Sequence, residues 1–210
     1  MKKKVLVVGG AGYCGSVLVP QLLAEGWEVT VYDILKWYGD AHLPKSNPKL
    51  RILQGDVRDT AKVAEACKGQ HALLHLACIS NDASFELDER LSTSVNLESF
   101  EPLVIAAKEA GIRRFVFASS SSVYGVSDSP NVTEDHPLRP DGNPYVDTRI
   151  AAEQAVASPL LEGVNLSGAR GVLVNVTANK ASLKMRETRE IMNTIRGFAA
   201  EDATIIQGAV

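Results

Sequence analysis

Cysteine is scarce in this chain of 210 residues, and its three cysteines, Cys14, Cys67 and Cys78, are widely separated. An odd number of isolated cysteines argues against a disulfide framework, and no two of them have the spacing of a metal site. The four histidines are scattered as well, with no converging set of ligands around them. We therefore expect structural histidines, no metal centre and a reducing, cytoplasmic setting.

Long hydrophobic runs and a strong net charge are also missing from the sequence. No stretch approaches the roughly 20 apolar residues of a membrane helix. The apolar run that follows the lysines at the start breaks at Gly9 and Gly10, which favours a strand over a signal peptide. The formal net charge is only -3, so no overall field attracts nucleic acid or an acidic membrane. We expect neither as a partner.

Short apolar runs alternate with segments of helical periodicity along the chain. The predicted strands cover residues 5–8, 28–32, 51–53, 72–76, 115–118, 171–177 and 203–206. The predicted helices cover residues 13–24, 60–67, 88–110, 144–161 and 183–200. Strands that alternate with helices indicate βαβ units and a parallel sheet. The pattern predicts an α/β fold: one Rossmann-like, doubly wound parallel sheet of about seven strands, in a three-layer α/β/α domain over residues 1–210.

The strongest motif is the turn between the first predicted strand and the first predicted helix. It has both a GxGxxG and a GxxGxxG spacing. Small residues let a diphosphate approach the backbone amides at a helix N-terminus, and the last glycine lets the helix lie close to the strand. The competing interpretation is an ordinary turn. The predicted pyrophosphate-binding residues are Gly9, Gly10, Gly12, Tyr13, Cys14 and Gly15.

Further candidates stand where the next predicted strands end. Asp33 follows the glycine loop by about 20 residues, the spacing of an acidic residue that accepts hydrogen bonds from ribose. Such a carboxylate repels the 2′-phosphate of NADP, so the predicted cofactor is NAD. Asp56 and Val57 end the third strand, and they either contact the adenine edge or simply form a turn. Ala77 follows the fourth strand and is expected to face the same crevice.

Together with these residues, Asn96 and the run FVFASSSSVYG at 115–125 make residues 1–150 resemble a known family. The family is that of the extended short-chain dehydrogenases/reductases, in particular the NAD-dependent nucleotide-sugar epimerases and dehydratases. The resemblance implies that Ser120, with Ser121 next, holds a substrate hydroxyl. It also implies that Tyr145 is the base, as the tyrosine of a YxxxK pair. The competing interpretations are a polar turn at the serines and a plain helix-surface tyrosine.

Arg149 stands where the resemblance leads us to expect the lysine of that pair. The family's lysine binds the nicotinamide ribose and supports the tyrosine with its charge. An arginine keeps the charge, but it is forked and does not release its proton. We therefore expect no proton relay through Arg149, which makes turnover doubtful.

The last part of the chain resembles a different family. The runs LSGARGVLVNVTA at 166–178, NTIR at 193–196 and EDATII at 201–206 look like the C-terminal domain of FtsZ, the bacterial cell-division GTPase. Neither the GTP loop nor the catalytic loop of that family is present, so GTP hydrolysis is not implied. The change of resemblance near residues 146–153 predicts an engineered chimera. In it, residues 151–210 are a grafted helix-strand-helix-strand unit that completes the sheet.

Three functional hypotheses follow. The leading one is a chimeric binding scaffold that keeps NAD(H) affinity with little or no catalysis, because the substrate domain is missing and Arg149 replaces the lysine. The second is an active NAD-dependent epimerase or reductase that uses Ser120 and Tyr145, with a nucleotide-sugar as a further partner. The third is a structural design without a ligand. We expect a monomer or a homodimer.

Overall fold

Five parallel strands form the central sheet in the order β3-β2-β1-β4-β5. The computed structural model describes residues 3–126, 132–133, 136–140, 143–157, 171–176 and 204–209. The strands of the sheet are β1 (Lys4–Val8), β2 (Glu28–Asp33), β3 (Leu50–Gln54), β4 (Ala72–His75) and β5 (Arg114–Phe117). The strand order reverses between β1 and β4. In open α/β sheets, ligands bind in the crevice at the carboxyl ends of the strands at such a point.

Helices connect the strands. They are α1 (Tyr13–Ala24), α2 (Thr60–Cys67), α3 (Asp82–Glu86), α4 (Glu89–Thr93), a π-helical turn (Ser94–Glu98), α5 (Phe100–Glu109), a 3-10 turn (Ser121–Tyr124) and α6 (Pro144–Ala157). The predicted helices over 13–24 and 60–67 are confirmed to the residue. The side chain of Asp59 caps α2 by accepting a hydrogen bond from the Lys62 amide. The Asn143 side chain accepts from the Tyr145 amide at 3.0 Å at the start of α6, as the sequence predicts.

The core lies on both faces of the sheet, as a three-layer, doubly wound arrangement requires. On one face Leu6 packs in a cluster with Phe100 of α5. On the other face Val7 packs in a second cluster with Val19 of α1. The strands in the middle are apolar on both sides because both faces are covered by helices.

The predicted helix over residues 88–110 is wrong as a single α-helix, because a π-helical turn separates α4 from α5. In that turn the Ser99 amide donates to the Ser94 carbonyl at 3.2 Å, which is an i→i−5 bond. A π turn is a local irregularity inside helical structure. Apolar periodicity reports the helical segment and does not register such a local change.

The predicted α/β fold class is confirmed, but the prediction of one sheet of about seven strands is wrong. The last two predicted strands exist as β6 (Gly171–Val176) and β7 (Thr204–Ala209), which pair in parallel as a separate two-stranded sheet. Apolar composition identifies a strand but does not specify which other strand it pairs with. The predicted helix over 183–200 lies outside the described residues. Within the described part of the chain, no helix is both long and apolar enough to cross a membrane.

His75, the last residue of β4, is buried among aromatic rings. Its ring stacks on Phe117 with 5.9 Å between centroids and packs against Phe100 at 5.6 Å. Its Nδ1 is buried without a hydrogen-bond partner among the described residues. Burial, and secondarily the charge of Arg149 on α6, lowers the pKa of His75 to about 3. His75 is therefore a neutral packing residue at neutral pH.

We expect the substitution His75→Leu to change how stability depends on pH. Below about pH 6.5 the unfolded chain takes up a proton on His75, whereas the folded protein does so only near pH 3. This histidine therefore makes the wild type lose stability as the pH falls through that window. The variant lacks this loss. As the pH falls through the window, its free energy of unfolding should therefore rise relative to that of the wild type by up to about 1.4 kcal/mol per pH unit.

Urea denaturation at several pH values across the window measures this gain. The matched control is His42→Leu, at an exposed histidine. A difference between wild type and His75→Leu that stays constant with pH would contradict a neutral buried imidazole.

Candidate functional site

The glycine loop lies between β1 and α1, at the carboxyl end of the sheet. Gly9 has a φ of +81°, a conformation that L side chains rarely adopt. A Cβ on Gly9 would collide with the backbone of Ala77, and a Cβ on Gly15 would collide with the backbone of Gly10. The absence of side chains at these positions leaves a bare backbone turn, into which a diphosphate fits.

Helix α1 begins at this loop without a side-chain cap, because its N-cap residue is Gly12. The amides of Tyr13, Cys14 and Gly15 belong to the first turn, where N–H groups have no acceptor within the helix. Such amides and the partial positive charge of the helix N-terminus together form an anion site. Partial burial, and secondarily the nearby Cys78, raises the pKa of the Cys14 thiol, so that side chain is uncharged at neutral pH.

Asp33, the last residue of β2, is bonded to the glycine loop. Its Oδ2 accepts from the Ala11 amide at 2.9 Å, and its Oδ1 accepts from the Leu35 amide at 2.9 Å. A carboxylate has about four acceptor positions, so both oxygens keep capacity for the two hydroxyls of a ribose. The sequence predicts the ribose contact, whereas the bond to Ala11 is a second, positioning role that the spacing does not reveal.

Asp56 is held by an ion pair with a neighbouring arginine. Its Oδ2 lies 2.5 Å from an Nη of Arg58, and its Oδ1 accepts from the Arg58 Nε at 2.9 Å. The hydrogen bonds from Arg58 lower the pKa of Asp56 and outweigh the desolvation that raises it. The Asp56 carbonyl also accepts from the Tyr32 hydroxyl at 2.8 Å, and Val57 is buried in the core. These contacts are those of a structured turn, and the adenine contact stays a prediction.

Ala77 and Asn96 position the segment that follows β4. The Ala77 amide donates to the Val8 carbonyl at 3.0 Å, which places this segment directly beside the glycine loop. The buried Asn96 side chain accepts from the Ile79 amide at 2.8 Å and donates to the Ile79 carbonyl at 2.9 Å. The sequence shows Asn96 only as part of a resemblance. In the structure, its two hydrogen bonds to Ile79 hold the segment after β4 in place.

Helix α6 brings Tyr145 and Arg149 together beside the end of β5. The Arg149 Cζ lies 5.3 Å from the centroid of the Tyr145 ring and 5.3 Å from that of Phe117. Arg149 is 3% exposed and Tyr145 is 8% exposed, so the interpretation of Tyr145 as a surface tyrosine is wrong. The Arg149 Nη1 donates to the Ala118 carbonyl at 3.4 Å.

The other two nitrogens of the Arg149 guanidinium, Nε and Nη2, are buried without partners among the described residues. Leaving buried charged N–H groups unpaired costs several kcal/mol in free energy, of the order of 3–5 kcal/mol when one partner of a buried pair is missing. A bound hydroxyl or carboxylate oxygen would satisfy both groups. Arg149 therefore retains two unused donors, in the place that the resemblance assigns to lysine.

The serine run after β5 forms the start of the 3-10 turn. Ser120 Oγ accepts from the Ser122 amide at 3.3 Å and lies 3.1 Å from Ser122 Oγ, so its contacts are those of a polar turn. Within the described residues, no hydrogen bond joins Ser120 to Tyr145. Ser119 Oγ donates to the carboxylate of Glu153. Glu153 is not among the site residues predicted from the sequence. Its place two turns after Tyr145, on the same face of α6, was the available signal.

The chain is similar in sequence to one family of known proteins over nearly its whole length. The model of the NAD dependent epimerase/dehydratase family matches residues 5–209. The UDP-glucose 4-epimerase of Lactobacillus helveticus is 31% identical over 205 residues, which are 95% of this chain and 61% of that protein. The 3-beta-hydroxysteroid dehydrogenase of Mycolicibacterium neoaurum is 37% identical over 160 residues, 73% of this chain and 42% of that protein. The chain therefore spans less than two thirds of these curated relatives.

A solved structure gives the same result. DesIV, a dTDP-glucose 4,6-dehydratase from Streptomyces venezuelae solved with NAD and TYD bound, superposes with a TM-score of 0.73. It is 29% identical, and the match covers 92% of this chain and 62% of DesIV. The NAD in that structure, and the NAD in the family's description, agree with the cofactor predicted from the glycine loop and Asp33.

The family match also bears on the last part of the chain. It includes residues 151–209, the segment for which the FtsZ resemblance predicts a graft. None of these matches supports that resemblance or a chimera, and both stay predictions. The match covers nearly the whole chain. The glycine loop, Asp33 and the segment held by Asn96 all lie at the carboxyl ends of the strands. The chain belongs to the NAD-dependent epimerase/dehydratase family.

Proposed function

We propose that this chain binds NAD(H) in the crevice between the ends of β1 and β4 and acts on a hydroxyl of a nucleotide-sugar as an epimerase. The observation that carries the proposal is the bare glycine loop bonded to Asp33, whose Oδ2 accepts from the Ala11 amide at 2.9 Å. This arrangement offers backbone amides to a diphosphate and a carboxylate to the adjacent ribose. The epimerase names among the relatives support the reaction class.

Three groups of residues would hold the cofactor. The first-turn amides of α1 bind the diphosphate, and Asp33 binds the adenosine ribose. The unpaired Nε and Nη2 of Arg149 bind the second ribose, which removes the cost of leaving them buried and unsatisfied. When bound, NAD supplies an acceptor for a hydride at its nicotinamide ring.

Tyr145 and Arg149 are suited to hold and return a proton. The Tyr145 phenol oxygen accepts the proton of the substrate hydroxyl and later returns it, and the Arg149 guanidinium lies next to the ring, with its Cζ 5.3 Å from the ring centroid. Ser120 hydrogen-bonds the same substrate hydroxyl when it exchanges its contact with Ser122. Arg149 does not pass a proton onward.

This last property is compatible with an epimerase. An epimerase removes a proton and a hydride from its substrate and later returns both, so no proton has to leave the site. With Arg149 in this position, the proton stays on Tyr145 until it returns to the sugar.

A binding protein without turnover is the second candidate function. It is favoured by the arginine at position 149, where the resemblance leads us to expect a lysine. In this candidate, residues 151–210 are the grafted unit of a chimera, and the crevice binds NAD(H) without turnover. The two experiments below separate the candidates.

We expect Asp33→Ala to weaken NADH binding at least about tenfold, because hydrogen bonds to a charged group are worth roughly 1.5–3 kcal/mol. Titration followed by NADH fluorescence measures the dissociation constant. The control is Glu101→Ala, at an exposed acidic residue of α5, which should bind like the wild type. Because Asp33 also holds Ala11, the melting temperature of the variant is recorded alongside. Absence of saturable NADH binding by the wild type would refute both candidates.

The second experiment follows conversion of UDP-galactose to UDP-glucose by the wild type and two Arg149 variants. We expect Arg149→Met to lower kcat by about a hundredfold or more, because it removes the positive charge beside the Tyr145 ring. Arg149→Lys keeps that charge and should stay within about tenfold of the wild type. If the wild type and Arg149→Lys both bind NADH but form no product, the epimerase proposal fails and the binding protein remains.

A further inference from the structure

A cavity of about 340 Å³ lies at the opposite edge of the sheet from the cofactor crevice. The starts of β1, β2 and β3 and the segment before β4 form its walls. The crevice lies at the carboxyl ends of these same strands. Since β1 has five residues, each rising about 3.3 Å, the length of the sheet separates the two places. We name it the basal cavity.

The basal cavity carries more positive than negative charge. Four cationic side chains line it: Lys4, Lys49, Arg51 and Lys68. Lys4 pairs with Glu28 at 3.5 Å, and Lys68 pairs with Glu65 at 2.5 Å. Among the described residues, Lys49 and Arg51 form no ion pair with a carboxylate, although the Lys49 ammonium donates to the Gly26 carbonyl at 3.4 Å and the charge of Arg51 acts on Glu65. Four cations against these two carboxylates leave a surplus of two positive charges, in a chain whose overall charge is -3.

The basal cavity also contains a buried acceptor without a donor. Gln70 Nε2 donates to the Thr30 hydroxyl at 3.0 Å, which orients the amide. The Gln70 Oε1 is buried and has no partner among the described residues. An unsatisfied buried acceptor costs free energy, and a hydroxyl of a bound molecule would remove that cost.

We propose that the basal cavity is a binding site for a small phosphate monoester that carries hydroxyl groups, a sugar phosphate in chemical class. A phosphate monoester carries a charge of about −1.5 to −2 at pH 7, which matches the surplus of two. The Arg51 guanidinium and the Lys49 ammonium bind the phosphate oxygens, and Gln70 Oε1 accepts from a sugar hydroxyl. A volume of 340 Å³ is within the range of small-molecule sites, about 300–1,000 Å³. A carboxylate ligand would leave one positive charge unmatched.

The test titrates the full chain with ribose 5-phosphate in a calorimeter, with ribose and inorganic phosphate as separate probes. We expect saturable binding of ribose 5-phosphate, weaker binding of inorganic phosphate and no heat from ribose. The double variant Lys49→Ala with Arg51→Ala should bind ribose 5-phosphate at least about tenfold more weakly, because two charge-assisted contacts are lost. Both side chains are exposed, so this variant should fold. Lys62→Ala, at an exposed lysine of α2, is the matched control and should bind like the wild type.

Two further variants separate this site from the cofactor crevice. Gln70→Leu should weaken the binding of ribose 5-phosphate but leave the binding of inorganic phosphate unchanged, because only the sugar hydroxyl donates to the Gln70 carbonyl. Asp33→Ala should leave the affinity for ribose 5-phosphate unchanged, whatever its effect on the affinity for NADH. The proposal is overturned if ribose 5-phosphate gives no saturable heat, or if the double variant binds it as the wild type does. A loss of binding in Asp33→Ala would place the ligand in the crevice and overturn it too.

Discussion

The contact between the glycine loop and its neighbouring strands is the constraint on which the rest of the site depends. Gly9 lies against the backbone of Ala77, and Asp33 holds the Ala11 amide, so the ends of β1, β2 and β4 meet in one small volume. This closeness is possible only because the loop lacks side chains. It directs the first turn of α1 toward the crevice, and with it the partial positive charge of a helix terminus.

The parts of the fold that the sequence predicts correctly are set by local chemistry. Helix α1 begins after a glycine turn and ends before Gly26, and both signals lie within the segment itself. The ends of β2 and β4 were also predicted to within one residue, since the strands predicted over 28–32 and 72–76 are Glu28–Asp33 and Ala72–His75. Since parallel strands converge at one edge, the residues of the crevice could be named without coordinates.

The parts that failed depend on contacts between distant segments. The pairing of β6 with β7 is a choice of partner, which apolar composition does not encode. The π-helical turn contains the buried Asn96, whose partner Ile79 lies in another segment of the chain. The contact between Ser119 and Glu153 likewise joins two elements whose approach is decided by packing. The periodicity of apolar residues within one segment does not predict such contacts between segments.

Arg149 shows how the core and the site influence each other. Its guanidinium is buried against Phe117 and Tyr145, and its charge adds to the burial that lowers the pKa of the nearby His75. Among the described residues, the buried groups at this end of the sheet therefore include one charged side chain and one neutral imidazole.

The close approach at Gly9 also limits how this chain can change. A Cβ at that position meets backbone atoms of Ala77, not its side chain. A compensating substitution at residue 77 therefore cannot make room, since every amino acid brings the same backbone. Position 9 has no second-site suppressor there, and only a shift of the β4 segment as a whole would accommodate another residue.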